Sequence, residues 1–501
     1  MMRRNVALFI LTLLYFTIER CLNCANFNLT TRCYTKVRNN VYRLYATKTT
    51  FTENQLNLGD KIELDYHRLK ELKDWKPIML YVVARHAIRF PDREDIEEMS
   101  QYLPQIRDEI LKNRGELCDD DVKAFENWRF QMTPDDDNNV CERGREETIL
   151  TAFNLRKIFK KLLNPREAKI SIGVTEKTRT SQTADTFITG LRLYDKVKNI
   201  IDSDDSSEES SDKAWRKHSH WMPKKEAKDI LRFHAKCKKV YKQNGGKLEK
   251  PKAVIELRNS DLVSSLGKRV KERLGIATAG KNLSDYQFVE VIAKACRFEY
   301  ACQVDTPWCS AFGEPELKVL EYIEDLEDFL DDAYGRKLNG DMACPLVKDL
   351  TTKLRNAAMS NSKRQSFLYF THAGALKRFY TTLHLFADND MLVDKSPENG
   401  YCSRENRKWR SSLNAPFGAN FVIALYEKKK SRKSRQKEHI VVAFVNGKSE
   451  IIRKCSSKFC PLEEFLSKFA DSENCDLNQI CKPNIHNTNN TESSVPIEDN
   501  M

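Results

Sequence analysis

The chain of 501 residues is 40% hydrophobic and 31% charged, an ordinary globular composition that can bury a large core and excludes a disordered or fibrous protein. Its length predicts two structural units, or one core with a large insertion. The formal charge of +12 favours polyanionic partners. No zinc-finger spacing, other nucleic-acid-binding motif, dinucleotide fingerprint or P-loop accompanies that charge, so nucleic acid is not expected as a partner.

At the N-terminus, basic residues precede an apolar run, as they do in a secretory signal. Two arginines precede an apolar run from Val6 to Ile18, which is shorter than the roughly 20 residues of a membrane helix. We predict a signal peptide over 1–24 and a soluble mature protein without a membrane span. The protein would then be secreted or held in the endoplasmic reticulum lumen.

The 15 cysteines are spread through the chain, and in a secretory protein this use predicts disulfides. One group also has a spacing that zinc sites use, namely Cys455, Cys460, Cys475 and Cys481. The compartment favours disulfides over zinc there. His218 and His220 lack a third ligand nearby and are interpreted as solvated loop residues, so neither a metal nor a cofactor is expected. Candidate glycosylation sequons begin at Asn28, Asn282 and Asn489.

Three segments repeat an apolar strand, a short polar turn and an amphipathic helix. They are "PIMLYVVARHAIRFPDREDIEEMSQYL", "AKISIGVTEKTRTSQTADTFITGLRLY" and "SFLYFTHAGALKRFYTTLHLF". Strands that alternate with helices predict an α/β fold with a mostly parallel sheet and helices on both faces. Ligands of such sheets bind beyond the carboxyl ends of the strands.

The stretch between the second and third units differs in composition. It opens with the acidic, serine-rich "SDDSSEESSD" and continues with helix-like sequence, which predicts a mainly helical cap inserted over 203–350. The sheet core then occupies 25–202 and 351–482, and 483–501 forms a disordered tail. The basic run Lys428–Lys437 lies between two strand-like segments and is interpreted as a solvated hairpin loop and a candidate polyanion contact.

Five cationic or titratable side chains fall at the predicted strand ends: Arg85, His86, Arg89, Arg179 and His372. Guanidinium groups match phosphate oxygens bidentately, so three of them predict a small phosphorylated substrate. One imidazole can attack phosphorus and form a phosphohistidine, while the other donates a hydrogen bond to the phosphoryl oxygens. The alternative, that all five are buried ion-pair partners, is less favoured because no acidic residue flanks them closely.

The segment "RHAIRFP" resembles the Arg-His-Gly-x-Arg-x-Pro signature of the histidine phosphatases, in the branch that contains acid phosphatases and phytases. More closely, the chain resembles the multiple inositol polyphosphate phosphatases, through "YATKT", "KTRTSQTADTFITGL", "TPWCSAF", "YFTHAGAL" and "WRSSLNAPFGANFVIALYE". The resemblance implies a hydrolase of inositol polyphosphates or of other small phosphate esters such as bisphosphoglycerate. It makes His86 the nucleophile, His372 the transition-state donor, and Arg85, Arg89 and Arg179 the phosphate clamp.

Two positions depart from the family pattern. The signature glycine is Ala87, which brings a methyl group close to the phosphate loop. The proton-donating glutamate falls on Gly374, which has no side chain. General acid catalysis contributes roughly 10²- to 10⁴-fold, so turnover of alkyl phosphates is expected to be slowed unless a cap carboxylate such as Asp305, or water, substitutes. The alternative function is that of an impaired pseudophosphatase that binds polyanions.

Overall fold

The computed structural model describes residues 41–57, 71–201, 214–215, 217, 219–237, 250–360, 364–387, 406–428, 437–452 and 455–482. The predicted signal peptide and C-terminal tail lie outside these residues, as do His218 and the sequons at Asn28 and Asn489. Most of the basic run, 429–436, lies outside them as well.

One sheet forms the centre of the protein. Its strands are β1 (Trp75–Arg85), β2 (Ala168–Val174), β3 (Ser219–Trp221), β4 (Arg364–Thr371), β5 (Asn420–Lys428), β6 (His439–Val445), β7 (Lys448–Glu450) and β8 (Cys460–Pro461). The order is β3-β2-β4-β1-β5-β6-β7, and β8 also pairs with β6. The first four strands of this order are parallel. The others pair antiparallel. The α/β prediction is confirmed, with a parallel half and an antiparallel half.

Helices cover the sheet and extend beyond it. They are α1 (Phe51–Asn57), α2 (Arg93–Asn113), α3 (Asp119–Asn127), α4 (Glu142–Ile158), α5 (Thr178–Ile201), α6 (Lys224–Leu231), α7 (Lys252–Arg258), α8 (Asp261–Leu274), α9 (Asp285–Ala301), α10 (Glu314–Asp332), α11 (Lys337–Asp341), α12 (Cys344–Met359), α13 (Ala373–Thr382), α14 (Ser411–Asn414), α15 (Leu462–Lys468) and α16 (Leu477–Ile480). Within the described ranges, none has the combined length and apolar character that crossing a bilayer requires.

The central strand β1 is buried on both faces because its side chains alternate between two helical layers. The core on one face, under α12, α13 and α15, contains Met79, Tyr81 and Val83. The core on the other face, under α4 and α5, contains Leu80, Val82 and Ala84. The predicted helices on both faces of the sheet are therefore present, and they pack against β1 from both sides.

A third hydrophobic core holds a layer of helices together, which we call the helical cap. It joins α2 and α3 to α8, α9 and α10 through residues such as Ile106, Phe125, Leu266, Ile292 and Leu320. The cap is thus built from two stretches of chain, 93–127 and 252–332. The predicted insertion 203–350 also supplies the edge strand β3 and helix α6, which packs against the sheet through Leu231.

The described residues contain disulfides, as the cysteine content predicts, and three of these join parts of the chain that are more than 130 residues apart. The pairs are Cys141–Cys302, Cys237–Cys481, Cys296–Cys309, Cys344–Cys475 and Cys455–Cys460. All four C-terminal cysteines with zinc-like spacing belong to these pairs. His220 is an exposed residue of β3. Across the described ranges, no group of three or more His, Cys, Asp or Glu side chains is arranged to hold a metal ion.

Candidate active site

The predicted site residues meet at the carboxyl ends of three neighbouring strands, β2, β4 and β1. Arg85 ends β1, Arg179 lies in the first turn of α5 after β2, and His372 directly follows β4 as the N-cap of α13. The rings of His86 and His372 are 5.7 Å apart between centroids. The two helix N-termini add backbone N–H groups that favour an anion.

The hydrogen bonds of His86 fix which ring nitrogen is reactive. His86 is 3% exposed, and its Nδ1 lies 2.9 Å from the carbonyl oxygen of Ala87. A carbonyl oxygen only accepts hydrogen bonds, so Nδ1 carries the proton and donates. Nε2 of the neutral ring therefore keeps its lone pair, which is the state that a nucleophile on phosphorus requires.

Burial and the neighbouring cations keep both histidines neutral. Burial, followed by the charges of Arg85 and Arg89, lowers the pKa of His86 well below its usual value of 6.5. Burial, followed by the charge of Arg179, lowers the pKa of His372 to about 2. The protein thus holds two unprotonated imidazoles in a strongly positive environment.

The three arginines make hydrogen bonds but have no carboxylate partner among the described residues. Nη1 of Arg85 donates to the carbonyl oxygens of Thr47 and Ala415, at 2.5 and 2.7 Å. Arg89 donates to the carbonyl of Phe90, and Arg179 donates to the side-chain oxygen of Asn138. The Nε atom of each arginine is buried and has no hydrogen-bond partner in the described part of the chain. The alternative, in which all five are buried ion-pair partners, is thus not supported by any ion pair of these arginines among the described residues.

Mutual repulsion shows in the pKa values of these arginines. Burial and the charge of Arg89 lower the pKa of Arg85 to about 9 and that of Arg179 to about 10. Such a cluster is costly without an anion, since desolvated unpaired charges are unfavourable. A bound phosphate would supply the missing negative charge to all three arginines.

His372 has one ring nitrogen available for a ligand. Its Nε2 lies 3.0 Å from the hydroxyl of Thr175, and its Nδ1 is buried without a hydrogen-bond partner in the described part of the chain. When Thr175 donates to Nε2, Nδ1 carries the proton. His372 can then donate from Nδ1 to a phosphoryl oxygen, as the sequence resemblance implies.

The structure adds site residues that the sequence patterns did not reveal. Arg232 and His234, which follow α6, lie close enough for their charges to lower the pKa of His372. The hydroxyl of Thr183 accepts from the backbone N–H of Ala87 at 2.9 Å and donates to the carbonyl of Arg179 at 2.7 Å. These residues come from loops and helix turns without a strand-end pattern, so only their threonine-rich and basic surroundings could have drawn attention to them.

The two departures from the family pattern have different structural settings. Ala87 is 2% exposed and is not among the residues with positive φ, so its methyl group is accommodated without backbone strain. Gly374 lies in the first turn of α13, next to His372. Asp305, the cap carboxylate considered as a substitute acid, is exposed, and no contact within the described ranges links it to His86 or His372.

Stability is expected to fall with pH below about 6.5, because His86 and His372 stay neutral in the folded state while the unfolded chain binds protons. Each neutral histidine contributes a loss of up to about 1.4 kcal/mol per pH unit below its unfolded pKa. Denaturation from pH 7 to 4.5 would measure this slope. The His86→Asn/His372→Asn variant, which lacks both imidazoles, should have a flatter slope. Equal slopes for both proteins would contradict the assigned protonation states.

A neutral, buried histidine within an arginine cluster, at the carboxyl ends of parallel strands, is the arrangement expected of a phosphatase site. The family model described as "Histidine phosphatase superfamily (branch 2)" matches residues 78–446. The chain belongs to this family and is a phosphatase.

Curated relatives and solved structures agree with this family. The chain is 25% identical to multiple inositol polyphosphate phosphatase 1 of Drosophila melanogaster, with 87% of each chain covered. It is 23% identical to that of Homo sapiens, with 70% of each covered. A phytase from D. castellii superposes with a TM-score of 0.58 at 15% identity, over 84% of this chain and 83% of that chain. The apo multiple inositol polyphosphate phosphatase of Bifidobacterium longum gives 0.54 at 15% identity, over 85% and 97%.

Proposed function

We propose that the protein hydrolyses phosphomonoesters of inositol polyphosphates, or of other small phosphate esters such as bisphosphoglycerate, through a phosphohistidine on His86. The observation that carries this proposal is a set of three arginines, one buried and two half-buried, which have no carboxylate partner among the described residues and surround a neutral histidine. The names of the curated relatives support the substrate class. A related structure was solved with inositol hexasulfate bound, which supports a polyanionic ligand of this size.

In the first step, Arg85, Arg89 and Arg179 hold the phosphoryl group, and the lone pair on Nε2 of His86 forms the N–P bond. The bond from phosphorus to the leaving oxygen breaks, and its electron pair stays on that oxygen, which must gain a proton. His372 donates from Nδ1 to a phosphoryl oxygen, where negative charge concentrates in the transition state.

In the second step, water attacks the phosphorus of the phosphohistidine and loses a proton. The electrons of the N–P bond return to Nε2 of His86, and inorganic phosphate leaves. Because burial and the arginines keep the pKa of His86 low, the ring is again unprotonated and ready for another cycle at mildly acidic pH.

We place this activity in the secretory pathway, either outside the cell or in the endoplasmic reticulum lumen. The disulfides support an oxidising compartment. Asn282 is exposed, as a glycan acceptor must be. The N-terminal charge pattern supports the same location.

The second candidate is a pseudophosphatase that binds polyanions without turning them over. It is favoured by one observation, the lack of a side chain at Gly374, where the resembling family carries its proton donor. In that case the arginine clamp would bind phosphate esters, but the alkyl leaving group would not be released.

Incubation of the purified protein with inositol hexakisphosphate across pH 3 to 8 separates the two candidates. A phosphatase releases inorganic phosphate, and alkaline quenching with labelled substrate, which preserves an N–P bond, traps phosphate on the protein. Tight binding without release or labelling would support the pseudophosphatase. Neither binding nor release would contradict both.

We further propose that the basic run Lys428–Lys437 contacts polyanions away from the site. Its two ends are partly neutralised, since Lys428 contacts Glu438 at 2.6 Å and Lys437 contacts Glu427 at 3.0 Å. Replacing the lysines between these ends by glutamine should weaken salt-sensitive binding to sulfated polymers and leave phosphate release within about 2-fold. A parallel loss of phosphatase activity would show that this run contributes to the active site.

A further inference from the structure

The space beside Gly374 holds a carboxylate from another part of the chain. A Cβ atom at position 374 would lie 3.0 and 3.2 Å from the two carboxylate oxygens of Asp332, and 2.9 Å from Nη1 of Arg378. Asp332 ends the cap helix α10, whereas Gly374 belongs to α13. The cap therefore brings acidic side chains to the place where the family segment would carry its own.

These acidic side chains form a stripe along α10. Glu324, Asp328 and Asp332 are spaced by four residues, so they share one face of the helix. Glu324 contacts Lys48 at 2.9 Å, and the other two contact Lys377. Lys377 belongs to α13, the helix that has His372 as its N-cap, so Asp328 and Asp332 contact the same helix that carries Gly374.

Lys377 bridges the two aspartates of the stripe, but the two differ in their contacts. The Nζ atom lies 2.5 Å from Oδ1 of Asp328 and 2.8 Å from Oδ2 of Asp332. The other oxygen of Asp332 contacts Arg378 at 2.6 Å. Burial alone would raise the pKa of Asp332, but the charges of Lys377 and Arg378 hold it at about 2. Asp332 is thus ionised and unsuited to donate a proton.

Asp328 has one unsatisfied oxygen. Its Oδ2 is buried and has no hydrogen-bond partner within the described residues. Burial, opposed by Lys377 and reinforced by the negative charge of Asp332, raises the pKa of Asp328. The negative charge of Glu324 also raises the pKa of Asp328. The charge of Asp328 in turn raises the pKa values of Arg85 and Lys250. Among acidic groups, the charge of Asp328 has the largest effect on the pKa of Arg85.

We propose that Asp328, held by Lys377 with Asp332 as a positioning residue, donates the proton to the leaving group and so replaces the side chain absent at Gly374. This inference rests on the proposed phosphohistidine chemistry. When the bond from phosphorus to the leaving oxygen breaks, that oxygen takes the proton from Oδ2 of Asp328 and leaves as an alcohol. The resulting carboxylate accepts a proton from the attacking water in the second step, which regenerates the acid.

The test compares Asp328→Asn with wild type in single-turnover phosphorylation by two substrates. An inositol phosphate has an alkoxide leaving group that needs the proton, so its phosphorylation rate should fall about 100-fold or more. The nitrophenolate of p-nitrophenyl phosphate leaves without much help, so its burst should change less than about 5-fold and also report that the variant is folded. The wild-type rate with the inositol phosphate should fall as pH rises through the pKa of the acid, and the variant should lose this dependence.

Asp331→Asn is the matched control, because Asp331 is a neighbouring acidic residue of α10 that faces Arg336 at 3.7 Å. Its rates should stay within about 2-fold of wild type. An active wild type with Asp328→Asn unchanged on both substrates would overturn the assignment, as would a substrate-dependent loss in Asp332→Asn alone. If wild type forms no phosphohistidine with either substrate, the proposed function itself fails.

Discussion

Replacement of His86 by alanine is expected to abolish phosphate release, with a loss of about 10⁴-fold or more. The side chain would form the covalent bond to phosphorus, and removing a nucleophile leaves only the rate enhancement from binding and electrostatics. Labelling quenched in alkali, where phosphohistidine is stable, should trap phosphate on wild type and none on His86→Ala. Binding of inorganic phosphate should persist, because the arginine clamp is intact.

His220→Ala provides a matched control, since His220 is an exposed histidine of β3 at the far edge of the same sheet. It should retain full activity and labelling. Near-normal turnover of any substrate by a correctly folded His86→Ala protein would contradict the phosphohistidine mechanism.

Replacement of Arg179 by alanine is expected to weaken phosphate binding by about 2 kcal/mol or more, which is about 30-fold in Kd. The guanidinium has no carboxylate partner within the described ranges, and its neighbour Arg89 repels it. Removing it costs the hydrogen bond to Asn138 but relieves that repulsion. The melting temperature without anions should therefore change little, and the stabilisation that phosphate gives to wild type should shrink.

Calorimetric titration with phosphate and thermal melts with and without phosphate would measure both effects. Lys177→Ala is the control, because Lys177 is an exposed cation in the turn just before α5. It should keep the phosphate affinity within about 2-fold. A large drop in melting temperature with unchanged phosphate affinity would instead assign Arg179 a structural role.

The catalytic edge of the sheet could be predicted because each residue there follows a local pattern. Arg85 and His86 come directly after an apolar run, Arg179 opens a helix after β2, and His372 does the same after β4. In a parallel sheet the ends of such strands meet. Short local segments were thus enough to predict that strands far apart in sequence end side by side. The structure brings the residues at these strand ends together as expected.

The opposite wall of the site could not be predicted in this way. The spacing of the acidic residues of α10 is typical of the solvated face of an amphipathic helix. No local pattern indicates that this face packs against Lys377. The sequence also did not predict that the cap is built from two stretches of chain. The apolar residues of α2 have the periodicity of any surface helix, so they do not show that α2 packs in the cap. A helix pattern gives the apolar face but does not identify the core that this face joins.

The position of β1 at the centre of the sheet bears on how the chain can be made. Its neighbours are β4 and β5, and β5 begins only at Asn420. The disulfide of Cys237 can form only after Cys481, which lies 244 residues further on, has been made. During vectorial synthesis, β1 is therefore finished long before either of its edges is covered, and an apolar strand with bare edges invites pairing with other chains. Strand β1 gains both of its partner strands only when the chain has been made as far as Lys428.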